Sequence, residues 1–330
     1  MSNHKHPGAR WIGYLSYDLG RLFESLPVSA TDDLQLPLFC FSLHAQAETP
    51  PATFVPVDAH TPPPRAALSK HDYLASVARA IDYIRAGDIF QVNLSQRFTT
   101  ALTLPPQQIW QNLIQRSPAA YGAYLDCGDH VLLSNSPELF LSVTPDRTIT
   151  TRPIKGTRPR GPGMEKELRS SIKDQAELNM IVDLERNDLG RICEIGSVKV
   201  SEPRVIEAHP TVYHGAANIQ GKLREDVRFV DLLRATFPGG SITGAPKIRA
   251  MEIIEELEPV RRGPYCGAIG YLAADGSMQF NVAIRTMIAK DNRIHIPVGG
   301  GIVADSDPVA EYEETLTKAT AMFGALNINP

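Results

Sequence analysis

Apolar residues recur along this chain at two spacings, three to four residues in some stretches and two in others, and their alternation predicts the elements. Between Ser69 and Gly87, the residues Leu74, Val77, Ala78, Ile81 and Ile84 mark the buried stripe of a helix. Ser69 opens it, with Asp72 three residues on as a weaker capping box, and Gly87 closes it. Phe90, Val92 and Leu94 then alternate with Gln91, Asn93 and Ser95, giving a strand with one apolar and one polar face. Strands are also predicted over Trp11–Leu19 and Pro37–His44, with a short loop or helix at Arg21–Glu24. Glu48–Arg65 is proline-rich and low in charge, a linker or a surface crossing. Further helices are predicted over Gln107–Arg116, Glu165–Leu184, Val227–Thr236, Pro246–Glu258 and Asp307–Leu326. Short strands fill Tyr121–Thr151, and longer ones cover Ser197–Val200, Thr211–Gln220, Tyr265–Ala273, Met278–Ala289 and Arg293–Ile296. Helices alternate with groups of strands without a regular βαβ period or a short repeat, so the fold class is α+β in one interlocked unit.

Composition narrows the function. The chain has 330 residues and a net charge of −4, which argues against nucleic acid as the main partner. Its longest apolar runs are too short to span a membrane, and the polar, His-rich start is unlike a signal peptide. Cys40, Cys127, Cys193 and Cys266 are widely spaced, as expected of reduced thiols in a cytoplasmic protein.

The densest chemistry lies in Thr151–Gly161, where Arg152, Lys155, Arg158 and Arg160 fall within nine residues with no acid among them. Pro153 and Pro159 bar a regular helix or a central strand there, and Gly156 allows a tight bend beside Lys155. Two readings stay open: a solvated basic loop, or a preorganised amine facing an anion or an electrophile. Asp174 and Glu177 share one face of a predicted helix, and Glu311 and Glu314 share a face of the last one. Each pair alone is a solvated face, as the favourable Glu314–Lys318 spacing suggests. If the two helices face each other, four carboxylates converge and call for Mg²⁺. Gly299-Gly300-Gly301 is either a turn or bulge between strands or a set of bare amides for an anion. Pro238–Lys247 superficially resembles a phosphate-binding loop but lacks its Gly-Lys-Ser/Thr ending. Arg285, inside an apolar run, needs an anion from the protein or from a ligand, and Glu138 sits at a predicted strand junction. His214 is either a satisfied core histidine or a catalyst.

From Trp11 onward the chain resembles the chorismate-utilising enzymes, and within that family the component I branch of the aminodeoxychorismate synthases. The resemblance is carried by Gly13–Arg21, Gly87–Ser95, Pro153–Gly161, Met180–Arg191, Pro238–Lys247 and Gly300–Ser306, in the family's order. It implies two packed antiparallel sheets flanked by helices. Residues 1–65 then form a shortened N-terminal segment of strands plus linker, and 66–330 the chorismate-binding domain. Family members carry more chain before the matching point, so the Trp11–Leu19 strand is expected to expose an edge.

The resemblance also implies one pocket. Glu177 and Glu314 match Mg²⁺ ligands, and Asp174 and Glu311 match holders of the metal's waters. Arg285, Tyr265 and the amides of Gly299 and Gly301 match the grip on the enolpyruvyl carboxylate of chorismate, with Lys318 as a further carboxylate contact. Glu138 and His214 match acid/base positions, with Thr157 and Gly156 in the same pocket. Gln91 stands where water-adding relatives carry a lysine base, and glutamine cannot deprotonate water. Lys155 stands where anthranilate-forming relatives carry a small residue, and it matches an amine thought to attack the ring. A cationic loop and Mg²⁺ are expected to depress its pKa. The implied reaction is chorismate plus ammonia to 4-amino-4-deoxychorismate. The chain lacks a Gly-x-Cys-x-Gly nucleophile loop, so a glutamine amidotransferase subunit is the implied partner. The alternatives are anthranilate formation and a noncatalytic chorismate-binding subunit.

Overall fold

The computed structural model describes residues 8–45, 59–210 and 212–328. The chain begins with β1 (Arg10–Leu15), a 3-10 turn over Tyr17–Leu22, and β2 (Phe39–His44). Next come β3 (Arg65–Ala66), α1 (Lys70–Ala86), β4 (Gln91–Ala101) and α2 (Pro106–Arg116). Strands β5 (Tyr121–Asp126), β6 (His130–Ser136), β7 (Leu139–Val143), β8 (Thr148–Arg152) and β9 (Ile154–Pro159) follow in succession. Then come α3 (Met164–Ser170), α4 (Ile172–Gly190), β10 (Lys199–Ala208), β11 (Val212–Lys222) and α5 (Phe229–Thr236). The last third holds β12 (Gly244–Ala245), α6 (Lys247–Leu257), β13 (Ala268–Ala273), β14 (Met278–Val282), β15 (Thr286–Lys290), β16 (Arg293–Ile302) and α7 (Pro308–Ala325).

The strands form two antiparallel sheets. One runs β10-β11-β8-β7-β14-β13-β1-β2, with β9 also paired to β11, and the other runs β12-β4-β16-β15-β6-β5, with β3 on β4. Tyr14 and Ile269 of the first sheet pack with Leu132 and Ile288 of the second, so the sheets meet face to face. Helices α4 and α5 cover the first sheet, burying Leu178, Val182, Leu232 and Leu233. Helices α2 and α7 cover the second, burying Ile109, Leu113, Met322 and Phe323. Each such side chain contributes about 2 kcal/mol by leaving water. The α+β architecture of two antiparallel sheets with outer helices is the one expected. Among the described residues, no helix is long and apolar enough to cross a membrane.

Helix α1 follows its predicted caps: the Ser69 hydroxyl accepts from the Asp72 amide at 3.1 Å, and Gly87 takes φ 85°. Its buried side is set by Tyr73, Val77, Ala80 and Ile81, whereas Ala78 is exposed. Other expectations need correction. The strand expected over Trp11–Leu19 stops at Leu15, because Ser16 accepts from the Asp18 amide and caps the 3-10 turn. β1 is paired on both sides, and among the described residues the sheet edge is β2, where Phe39 and Leu43 are exposed. Part of the expected linker, residues 48–58, lies outside the described residues, as does Thr211. Its far end docks as β3 on β4. The expected two-faced strand is buried on both faces, including Gln91, Asn93 and Ser95, while Phe90 just ahead of it is 70% exposed. The helix expected over Glu165–Leu184 is two, broken where Ser171 turns to accept from the Asp174 amide and cap α4.

Candidate active site

Two of the singled-out residues lie where the chain crosses between sheets. Glu138 stands in the step from β6 to β7, and Arg285 in the step from β14 to β15. Arg285 therefore does not sit inside a strand; it takes φ 49°, which breaks the predicted Met278–Ala289 run and turns the chain from one sheet into the other. The two crossings are tied side by side: the Val282 amide donates to the Glu138 carbonyl at 3.0 Å and the Asn135 amide to the Arg285 carbonyl at 3.0 Å. The Ser136 hydroxyl adds a bond to the Val282 carbonyl at 2.6 Å.

Glu138 is 4% exposed, and its Oε1 has no hydrogen-bond partner among the described residues. Burial raises its pKa, against the Ser241 hydroxyl, the Lys155 charge, the Ile154 amide and the Arg285 charge. The Arg285 guanidinium has no hydrogen bond or ion pair among the described residues, and burial lowers its pKa against the pull of Glu138. Gln91 is fully buried with both amide atoms unpartnered among the described residues. Glu138 Oε1, the Arg285 guanidinium and the Gln91 amide are thus left without hydrogen-bond partners among the described residues, a pattern that suits a ligand site.

The basic stretch is a strand, not a loop. Its prolines stand at Pro153, between β8 and β9, and at Pro159, the last residue of β9. The cations are also largely committed: Arg152 to Glu202 and Glu207, Arg158 to Glu167 and Asp174, and Arg160 over the Tyr213 ring. Lys155 alone of the four points elsewhere, its Nζ donating to the Ser241 carbonyl at 3.3 Å. Burial lowers its pKa and Lys318 adds to this, while Glu177, Glu138 and Glu314 oppose. Desolvation, not a cationic loop, is the main cause.

The glycine run is neither turn nor bulge: Gly299, Gly300 and Gly301 lie inside β16, paired with Ser95, Leu94 and Asn93 of β4. Their bareness leaves room for side chains. A Cβ on Gly301 would fall 2.7 Å from Gln91 Nε2 and 3.6 Å from Lys155 Nζ. One on Gly300 would fall 3.4 Å from Glu311 Oε2 and 3.6 Å from Glu314 Oε1. Lys318 Nζ pairs with Glu314 at 2.7 Å and donates to the Gly299 carbonyl at 2.9 Å.

Glu177 is raised by burial, with Lys155 and Lys173 opposing and Asp174 and Glu314 adding to the rise. Glu314 is lowered: burial acts against this, but Lys318, Lys173 and Lys155 outweigh it. The acids of α4 and α7 therefore share one electrostatic space with Lys155. Asp174 accepts from Arg158 at 3.1 Å, and Glu311 from the Ser306 hydroxyl at 2.6 Å. Among the described residues, no three His, Cys, Asp or Glu side chains stand close enough to hold a metal by themselves. Thr157 Oγ1 lies 2.9 Å from His214 Nδ1, and burial, then Arg285 and His209, push the His214 pKa down to about 3. His214 is accordingly neutral at pH 7. Tyr265 is buried beside Cys266, Arg262 and Glu258.

Residue-level reading of the sequence passed over Ser241 and Gly215. Ser241 sits in the glycine-rich loop set aside for lacking a phosphate-binding ending, and Lys247 of that loop is bound internally to Asp188 at 2.5 Å. The signal for Gly215 was available, since a lone glycine inside a strand marks a bulge or a close approach.

The sequence profile of the chorismate binding enzymes matches residues 1–324. Anthranilate synthase component 1 of Pseudomonas aeruginosa is 47% identical over 268 residues, which cover 79% of this chain and 54% of that protein. The match thus spans about half the length of that relative. Aminodeoxychorismate synthase component 1 of Klebsiella aerogenes is 40% identical, over 96% of this chain and 76% of that protein. The crystal structure of anthranilate synthase component I from Streptococcus pneumoniae superposes with a TM-score of 0.87 at 34% identity, over 98% of this chain and 82% of that one. The chain belongs to the chorismate binding enzymes.

Proposed function

We propose that this chain converts chorismate and ammonia to 4-amino-4-deoxychorismate. The observation that carries the reading is Lys155, a desolvated amine near Glu138, Gln91 and the acids of α4 and α7. Arg285, without a hydrogen bond or ion pair among the described residues, takes the enolpyruvyl carboxylate, with Tyr265, the Gly299–Gly301 backbone and Lys318 completing the carboxylate contacts. Glu138, whose raised pKa favours its protonated form, donates its proton to the departing 4-hydroxyl. The Lys155 nitrogen bonds to C2 as the C4–O bond breaks, and water leaves. Ammonia then bonds to C4 as the C2–N bond breaks, and the amine returns to Lys155. Neutral His214, held by Thr157, serves as a proton acceptor beside the ring.

Glu177 and Glu314, with Asp174 and Glu311 behind them, would hold Mg²⁺. Carboxylate oxygens are the donors that ion prefers, and Glu177 lies close enough to Asp174 and Glu314 for their charges to raise its pKa, a repulsion that a cation would relieve. Bound there, the ion would supply positive charge for a substrate carboxylate. A glutamine amidotransferase subunit delivers the ammonia, a partner in keeping with the component 1 names of the relatives.

Anthranilate formation is the second reading, favoured by the 47% identity to an anthranilate synthase. Purified chain with chorismate, Mg²⁺ and an ammonium salt separates the two. The expected product is 4-amino-4-deoxychorismate by mass spectrometry, without anthranilate fluorescence, and Lys155→Ala should lose it. Anthranilate from the wild type, or undiminished 4-amino product from Lys155→Ala, would overturn the proposal.

A further inference from the structure

Among the described residues, Lys155 Nζ has a single hydrogen bond, at 3.3 Å, so its side-chain partners fix its position only weakly. Its backbone must do so. β9 and β11 pair with a slip: Thr157 faces His214 and Ile154 faces Ala216, which leaves Gly215 alone opposite both Lys155 and Gly156. This is a two-against-one bulge, a device that re-aims a side chain. Gly156 takes φ 83°, and a Cβ there would meet Asp174 Cγ and Leu168 Cδ1 at 2.8 Å, so the helices α3 and α4 back the strand closely. On the other side a Cβ on Gly215 would stand 2.7 Å from the Lys155 carbonyl oxygen, closer than real Cβ contacts come. The obstacle is main chain, not the movable end of a side chain. Gly215 is not among the residues of positive φ, so alanine is conformationally allowed there and the approach of Lys155 is the specific demand for glycine.

We infer that Gly215 is a positioning residue for Lys155: its missing side chain lets the bulge close and sets where the amine points. The inference rests on the role proposed for Lys155. Gly215→Ala should lower kcat with chorismate and ammonium at least tenfold and change the KM for chorismate less than about threefold, because the carboxylate contacts lie on other elements. The rate at which an amine-reactive reagent labels Lys155, read by peptide mass spectrometry on the folded protein, should change at least threefold. In a Lys155→Ala background Gly215→Ala should cost nothing further. Gly156→Ala disturbs the same bulge, by strain at its positive φ and against the Asp174 and Leu168 side chains, and should reproduce the labelling change if Gly215→Ala does not fold. Wild-type kcat and labelling in the folded variants would overturn the inference, as would an undiminished loss in the Lys155→Ala background. Full 4-amino product from Lys155→Ala alone would instead remove the reading of function, while the labelling comparison still judges the bulge.

Discussion

Among the buried acids, Glu138 and Glu185 show how differently one environment can be used. Both are raised by burial, but Glu138 Oε1 has no hydrogen-bond partner among the described residues, whereas Glu185 accepts from the Thr151 hydroxyl at 2.9 Å. Burial, with Glu138 and Asp188 adding and Thr151 and Lys247 opposing, lifts the Glu185 pKa from 4.5 to about 8. The folded chain therefore holds a proton that the unfolded chain releases near 4.5. Its contribution to stability is complete below that value and is lost as pH rises toward about 8, by about 1.4 kcal/mol per unit at most. Glu185→Gln keeps an acceptor for Thr151 and removes the titration. Calorimetry should show its melting temperature declining less than the wild type's between pH 5 and pH 8; parallel declines would contradict this assignment. At this scale the sequence exposed residue types but not their partners. Lys155 and Arg158 look alike in the sequence, yet one reaches the site and the other ties β9 to α3 and α4.

Elements were legible where local signals agree. Ser69 and Gly87 bracket α1 as their capping chemistry requires, and Asp307 caps α7 in the same way. They failed where tertiary pairing overrules the pattern. Gln91, Asn93 and Ser95 read as a polar face, but β4 lies between β12 and β16 and both its faces are buried. The glycines of β16 read as a turn or bulge, or as bare amides for an anion, but they lie in an extended strand where close approach, not bending, selects them: a Cβ on Gly299 would fall 2.4 Å from the Leu94 carbonyl oxygen. Gly301 is the sharper test, since its Cβ would press on a side-chain amide rather than on the main chain. Gly301→Ala should fold and melt within about 1 kcal/mol of wild type, if Gln91 gives way, and lose most chorismate turnover. Normal steady-state kinetics from that variant would separate the glycine run from the site.

At the scale of the whole molecule, the acids of α4 and α7 lie more than 130 positions apart, and only the packing of two sheets brings their helices near Lys155. Spacing within each helix shows a shared face; it carries no information about which helix stands opposite. That part of the site was legible through the family resemblance alone. The proposed ion gives a direct check. Chelation with EDTA should abolish turnover and MgCl₂ restore it, and Glu177→Gln and Glu314→Gln should each weaken Mg²⁺ binding by at least about tenfold in titration calorimetry. Unchanged affinity in both would exclude these carboxylates as ligands. The left-handed turn at Arg285 also bears on how the enzyme can fail. A cation mounted on the step between two layers takes its coordinates from both, so a slide of either sheet past the other moves it away from the carboxylate proposed for it. Damage far from the pocket, at any contact that keeps the layers in register, should then appear first as poor substrate capture and only later as unfolding.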